Sequence, residues 1–250
     1  MYPAWMSKNT HYIRSGVKLK NDIQHTVRID LRRRRQMVRA IRLSSLLLAL
    51  FALNTLLVTS SNSYRRLDGL IGDRPSPRLH GLTRTLVLSI DNLGLRGLSA
   101  TLLLLAAFAI SLRFKSWRPL NLSFLALLGL NVVVGALKIL LSRSKPRDGS
   151  DLFHIGGIGS YPSGHAANAI LTWGVLAYLI YRYTHRALGK AKILQCGVAL
   201  VSLGVSAVSL YRNTHWLSDL VGGLLIGGSL LVLVIAVDRY VPSAKQPVQS

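Results

Sequence analysis

Six long apolar runs constrain this chain more than any other feature of its sequence. They cover residues 43–59, 98–113, 120–141, 166–184, 192–210 and 218–237. Each run reaches or approaches the roughly 20 residues that a helix needs to cross a bilayer. In lipid, only helices and closed barrels satisfy their backbone hydrogen bonds, and the sequence lacks the alternation of barrel strands. The sequence therefore predicts an all-α fold, a bundle of six transmembrane helices.

The remaining segments divide the chain into a basic N-terminal tail (residues 1–42), one membrane domain (43–240) and a polar C-terminal tail (241–250). The N-terminal tail is expected to be weakly ordered, with a helical turn or two near Asp30–Arg42. Between the first two runs, Leu82–Leu95 is expected to form a short helix in the membrane interface.

Basic residues dominate the charge and indicate the topology. The chain has 31 Lys and Arg against nine acidic residues, a net charge of +22. With six spans both termini lie on one side of the membrane, and that side holds 20 of the 31. Cytoplasmic flanks of membrane helices carry such an excess, so we expect cytoplasmic termini in a cytoplasmic membrane. The basic tail fits contact with anionic lipids, and binding to nucleic acid is not expected.

Four basic residues after the third run oppose this bias and are therefore candidates for another role: Lys138, Arg143, Lys145 and Arg147. Lys138 and Lys145 are seven residues apart, two helical turns, so both can reach the mouth of the bundle. Lysines near a helix end also reach for water with no further function, and for Lys138 that alternative stays open.

The motif Pro162-Ser163-Gly164-His165 directly precedes the fourth run. Amides at a helix N-terminus attract anions, and glycine lets a ligand approach the backbone. A histidine in this place can donate a proton to a departing oxygen. Alone, such a tetrapeptide is more often a loop-to-helix junction than a site.

His215 and Asp219 precede and begin the sixth run with an i, i+4 spacing, which places them on one helix face. A carboxylate bonded to one ring nitrogen leaves the other nitrogen as nucleophile or base. The alternative is that Asp219 only caps a helix. That alternative does not account for His215 or for the neighbouring Arg212.

Together these clusters resemble the type 2 phosphatidic acid phosphatase superfamily, which comprises membrane-embedded lipid phosphatases and phosphotransferases. The family pattern is Lys, six residues, Arg-Pro; then Pro-Ser-Gly-His; then Ser-Arg, five residues, His, three residues, Asp. The second motif is complete here, and the third keeps His215 and Asp219. The similarity extends over residues 43–237.

Two departures from the family pattern concern arginines. Lys145 stands where the first motif has arginine, and Ser209 stands at the arginine position of the third. Lysine cannot hold phosphate through two parallel hydrogen bonds as arginine does. Arg212, three residues before His215, is the candidate for supplying the missing cation.

The resemblance implies a mechanism with two histidines. Phosphate oxygens would be held by Lys138, Lys145, Arg212 and the backbone near Ser163 and Gly164. His215, oriented by Asp219, would attack phosphorus and form a phosphohistidine. His165 would protonate the leaving group and then activate water.

The expected substrate is a lipid phosphate or diphosphate, such as phosphatidic acid or a polyprenyl diphosphate, reached from the extracytoplasmic side. No metal or other cofactor is expected, because cationic side chains supply the charge. Transfer of the phosphoryl group to another acceptor, or binding of lipid phosphate without catalysis, are the alternatives. Haem ligation by His165 and His215 is the least favoured reading.

Overall fold

A computed structural model of the chain describes residues 5–72, 77–146, 159–183 and 188–241, of which 5–29 and 188–190 by backbone only. These residues form eight α-helices and no β-strand, which confirms the all-α prediction. Of the predicted C-terminal tail, only Val241 lies among the described residues. The helices are α1 (Trp5–Ser60), α2 (Asn62–Gly72), α3 (Gly81–Asn92), α4 (Arg96–Arg113), α5 (Arg118–Leu141), α6 (Gly164–Tyr183), α7 (Leu188–Tyr211) and α8 (Leu217–Tyr240).

Within the described residues, five helices are long and apolar enough to cross a membrane. They are the Asp30–Ser60 part of α1, α4, α5, the Ala191–Tyr211 part of α7, and α8. The fourth predicted run, 166–184, also forms a helix, α6, but α6 is not among the five. Polar residues lower its hydropathy, and two of them, Asn168 and Thr172, are buried against neighbouring helices.

Helix α1 differs most from the prediction. It continues from the first span back through the basic tail to Trp5, where the sequence predicted weak order. Nucleating a helix is less favourable in free energy than extending one, and the tail extends a helix that the membrane span already forms. The Arg and Gln residues of the tail are also good helix formers.

Helix α6 is the centre of the bundle, and it packs against α4, α5, α7 and α8. Two glycines bring α8 onto its first turns. A Cβ at Gly223 would lie 2.4 Å from the Ser163 carbonyl oxygen, and one at Gly227 would lie 2.6 Å from that of Ala167. Small residues permit this close approach of two helices. The two N-terminal ends, which carry the predicted histidines, are thereby held together.

Candidate active site

His215 and Asp219 lie side by side at the start of α8. His215 Nδ1 is 3.4 Å from Asp219 Oδ2, and Asp219 is fully buried. The same oxygen accepts a hydrogen bond from the Trp216 amide at 3.2 Å, so Asp219 also caps α8. An ionised carboxylate can only accept, so this contact is a hydrogen bond in the tautomer that carries its hydrogen on Nδ1. In that tautomer the lone pair on His215 Nε2 is directed away from Asp219 and can act as base or nucleophile.

His165 faces this pair from the first turn of α6. The centroids of the His165 and His215 rings are 6.1 Å apart, with the ring planes at 57°. The Ser163 amide donates a hydrogen bond to the Asp219 carbonyl oxygen at 2.9 Å, which joins the two motifs directly. A group the size of a phosphate can contact both imidazoles at once.

The Lys138 ammonium group is held at the end of α5 by two carbonyl groups. Its Nζ donates to Gly159 O at 2.7 Å and to Ser160 O at 3.2 Å. These bonds use two of the three ammonium hydrogens. A Cβ built on Gly164 would lie 3.7 Å from Lys138 Cε, so this side chain passes beside the first residue of α6. Because the Lys138 side chain is held by these carbonyl groups, its position favours a role at the site over the alternative that it only extends to solvent.

Arg96 is a second cation beside Gly164, and it was not among the residues predicted from the sequence. Its Nη2 lies 4.0 Å from the Cβ built on Gly164, and Arg96 is exposed as the first residue of α4. Arg96 and Lys145 are both close enough to Lys138 for their positive charges to repel its ammonium group. Arg96 belongs to none of the three motifs, so local sequence carries no signal for it.

The remaining motif residues have different environments. Lys145 is exposed, whereas Ser163 is fully buried. The Ser163 hydroxyl accepts a long hydrogen bond, 3.4 Å, from the Ala166 amide, as a residue preceding a helix does. Gly164 and His165 are the first two residues of α6, so their amides have no acceptor within the helix and can bind an anion.

Arg212 forms an ion pair with Asp91 of α3. Both residues are close enough to His165 to interact with it electrostatically, so this ion pair lies at the edge of the site. Ser209, at the arginine position of the family pattern, is fully buried, and its hydroxyl is one of four buried side-chain polar atoms with no hydrogen-bond partner in the part of the chain that the structure describes. The Ser209 hydroxyl and the Arg212 guanidinium therefore share no hydrogen bond.

Arg143 is the largest fully buried side chain among the described residues, and it supports Asp219 from behind. Its Nη1 donates to Asp219 Oδ1 at 2.9 Å and to Ser218 Oγ at 2.7 Å. Its Nη2 donates to Asp68 Oδ2 at 2.8 Å. Its guanidinium also lies 5.1 Å from the Trp216 ring centroid. The sequence indicated that Arg143 has a role beyond topology, but it gave no hint of Asp68, which comes from the distant helix α2.

Two tyrosines connect α1 and α2 to this network. The Tyr161 hydroxyl accepts from Asn54 Nδ2 at 2.9 Å, and the Tyr64 hydroxyl donates to Asn54 Oδ1 at 2.7 Å. Burial raises the pKa of Tyr161, and its hydrogen bonds with Thr55 and Asn54 lower it in part. Burial and the nearby Asp68 charge raise the pKa of Tyr64. Both hydroxyls therefore stay protonated and neutral at physiological pH.

The arrangement combines a nucleophile, an acid and an anion site. His215 beside Asp219 can act as a nucleophile, His165 opposite can act as an acid, and Lys138 and Arg96 lie beside the first residue of α6. Within the described ranges, no three His, Cys, Asp or Glu side chains group closely enough to hold a metal ion. Such a site can bind a phosphoryl group and transfer it.

Known proteins are similar to this chain in sequence and in fold. A sequence model of the PAP2 superfamily matches residues 118–242, half of the chain. Phosphatidylglycerophosphatase B of Bacillus subtilis strain 168 is 31% identical over 112 residues, which are 44% of this chain and 53% of that protein. The chain thus spans about half the length of this curated relative.

A solved structure is similar over most of the chain. It is a crystal structure of a transmembrane PAP2-type phosphatidylglycerolphosphate phosphatase from Bacillus subtilis, with a TM-score of 0.71 and 21% identity. The match covers 81% of this chain and 98% of the other. At this level of identity the match shows a common fold. Together with its apolar helices, this fold makes the chain an integral membrane protein.

Proposed function

The chain belongs to the PAP2 superfamily, and on that premise we propose that it is a membrane phosphatase that hydrolyses a lipid phosphate through a phosphohistidine. The observation that carries the proposal is the pairing of His215 with Asp219 opposite His165. The centroids of the two imidazole rings are 6.1 Å apart. The family match covers all three residues, since it extends from 118 to 242.

The phosphate group would bind at the first turn of α6. Lys138 Cε and Arg96 Nη2 lie 3.7 Å and 4.0 Å from a Cβ built on Gly164, and the Gly164 and His165 amides, at the start of α6, have no acceptor within the helix. Lys145 adds positive charge at the rim. Arg212 is a further candidate, although the Asp91 carboxylate already offsets its charge. These cations would stabilise the charge that develops on the phosphoryl oxygens.

In the first step, His215 Nε2 attacks phosphorus and a P–N bond forms. The bond from phosphorus to the lipid oxygen breaks, and that oxygen takes the proton from the protonated His165. Asp219 stabilises the positive charge that develops on His215. The products are the lipid alcohol and phosphohistidine, so atoms and charge balance.

In the second step, neutral His165 removes a proton from water as the water oxygen attacks phosphorus. The P–N bond breaks and inorganic phosphate leaves. His165 ends protonated and His215 neutral, as at the start. An alcohol or sugar in place of water would make the same site a phosphotransferase, which is the second candidate function.

The first substrate to test is phosphatidylglycerophosphate, because the curated relative carries that activity in its name. Phosphatidic acid and a polyprenyl diphosphate have the same chemical requirement and belong on the same panel. Release of inorganic phosphate is expected from at least one lipid, and the rate should survive EDTA because side-chain cations supply the charge. Binding of the panel without turnover would overturn the proposal in favour of a non-catalytic lipid-binding protein.

Matched substitutions of Arg96 and Arg212 distinguish which of the two arginines contacts the phosphate. We expect Arg96→Gln to lower kcat/KM by about 10²-fold, the usual scale for one preorganised charge contact. Arg212→Gln should have a smaller effect, because its partner Asp91 already neutralises the guanidinium charge. Steady-state phosphate release decides between them. The reverse order would assign the contact to Arg212 and remove Arg96 from the site.

We further propose a six-span topology in a cytoplasmic membrane. Helix α6 has 20 residues, about 30 Å, and its neighbours α4, α5, α7 and α8 each have a spanning segment. The basic residues favour cytoplasmic termini, with the site on the other side and α3 in the interface. The chain divides, as in the sequence prediction, into a tail (1–42), a membrane domain (43–240) and a C-terminal tail (241–250).

Cysteine labelling tests this orientation in intact cells. In a Cys196→Ser background, Arg78→Cys should react with a membrane-impermeant maleimide from outside. Lys115→Cys, in the turn after α4, should react only after permeabilisation. Both positions are exposed in the structure, so access depends on the side of the membrane. The opposite labelling pattern would reverse the orientation.

A further inference from the structure

A groove runs along the bundle, away from the histidines of the candidate active site. Its volume is about 470 Å³, and it lies between α6, α7 and α8. Small and apolar side chains form most of its wall, among them Ile170, Gly174, Ala177, Ala199 and Leu231. Pockets of this size hold small ligands or lipid chains.

The length of the groove matches one leaflet of a bilayer. Along α6 it extends from Ile170 to Tyr181, about 16 Å at 1.5 Å per residue. Half of a bilayer's hydrocarbon core is about 15 Å. Between the groove and His165, neighbouring side chains cover the first turns of α6, because Ala166, Ala167 and Ala169 are fully buried. The groove is therefore separate from the site, and its open length lies toward the opposite leaflet.

The end of the groove farthest from His165 is positively charged. Arg239 and Tyr178 line it, and the Arg239 guanidinium lies 5.4 Å from the Tyr178 ring centroid. Behind them, Asp238 bonds to Arg118 Nε at 2.5 Å and to Arg182 Nη1 at 2.8 Å. One carboxylate thus pairs with two guanidinium groups, whereas Arg239 is exposed and lines the groove.

From this apolar length and charged end, we propose that the groove binds an acidic glycerophospholipid of the leaflet opposite the active site. One acyl chain lies between α6, α7 and α8, and the phosphate group contacts Arg239 and the Tyr181 hydroxyl at the membrane surface. The lipid is bound, not turned over, because no histidine of the site can reach it. The proposal is independent of the catalytic function.

Lipid titration of the full-length protein in detergent tests the proposal, with the thermal midpoint as the measurement. Phosphatidylglycerol should raise the midpoint at lower concentration than phosphatidylcholine with the same chains. Ala199→Trp, which fills the groove, should abolish this difference, and Arg239→Gln should weaken the apparent affinity about fivefold. Matched controls are Leu200→Trp on the outer face of α7 and Arg113→Gln at the end of α4, both expected to behave like the unaltered protein.

Equal responses to the two lipids would overturn the proposal, as would loss of the response in both control variants. A measurement on the unaltered protein covers the case in which a variant does not fold. Phosphatidylglycerol with a diazirine at the end of one chain should crosslink mainly to peptides containing Ile170, Val198 or Leu231 in phosphatidylcholine vesicles. Crosslinks spread evenly over the outer faces of α4, α5 and α7 would show an unspecific lipid annulus and overturn the proposal.

Discussion

Replacing His215 with glutamine is expected to lower lipid phosphate turnover by on the order of 10⁴-fold or more, the scale seen when a nucleophile is removed. Glutamine keeps polarity and approximate size but cannot form the covalent intermediate. The measurement is single-turnover release of inorganic phosphate from the lipid that the panel identifies. Turnover within tenfold of the unaltered protein would contradict the assignment.

Two further variants make this result specific. His80→Gln removes an exposed histidine that precedes α3, so its activity should be unchanged. Asp219→Asn keeps the size of the side chain but can donate to His215 Nδ1, which favours the wrong tautomer. We expect a loss of up to about 10⁴-fold for this variant. Its thermal midpoint must be measured as well, since Asp219 also caps α8 and bonds to Arg143.

Replacing Arg143 with methionine is expected to destabilise the protein by about 3–5 kcal/mol, the usual cost of breaking a buried ion pair by removing one partner. Asp68 and Asp219 would both lose their guanidinium partner in a buried position. For a chain of this size the thermal midpoint should fall by about 6–20 °C. Differential scanning fluorimetry in detergent measures the change.

The control for Arg143 is Arg113→Met, at an exposed position in the last turn of α4, which should shift the midpoint by no more than a degree or two. Combining Arg143→Met with Asp68→Asn should cost less than the sum of the single changes, because the second change removes one unpaired charge. An unchanged midpoint in Arg143→Met would contradict the buried network around Asp219.

Local patterns in the sequence predicted the parts of the fold that depend on local physics. The apolar runs correspond to helices α1 and α4–α8 because a bilayer demands helical spans of about that length. The contact between His215 and Asp219 was predicted from their i, i+4 spacing, although α8 begins only at Leu217 and His215 lies just before it. The helical tail of α1 was missed because composition suggests solvation, whereas helix extension depends on the span that follows.

Contacts between distant segments could not be read in the same way. Arg143 bonds to Asp68, 75 residues earlier, and Arg212 pairs with Asp91, 121 residues earlier. Arg96 reaches Gly164 only because the turn before α4 packs on His165, where a Cβ on Gly94 would lie 3.2 Å from the imidazole. Such pairings depend on how the helices pack, and no spacing rule along the chain encodes them.

Trapping the covalent intermediate tests the central claim most directly. In the His165→Gln variant, attack of water on phosphohistidine should be slowed, so the intermediate should accumulate when a substrate with a good leaving group is supplied. Alkaline quenching and peptide mass spectrometry should then find one phosphoryl group on the peptide containing His215, and none in the His165→Gln/His215→Gln double variant. Turnover by the unaltered protein with no phosphoryl group on His215 in either protein would contradict the mechanism.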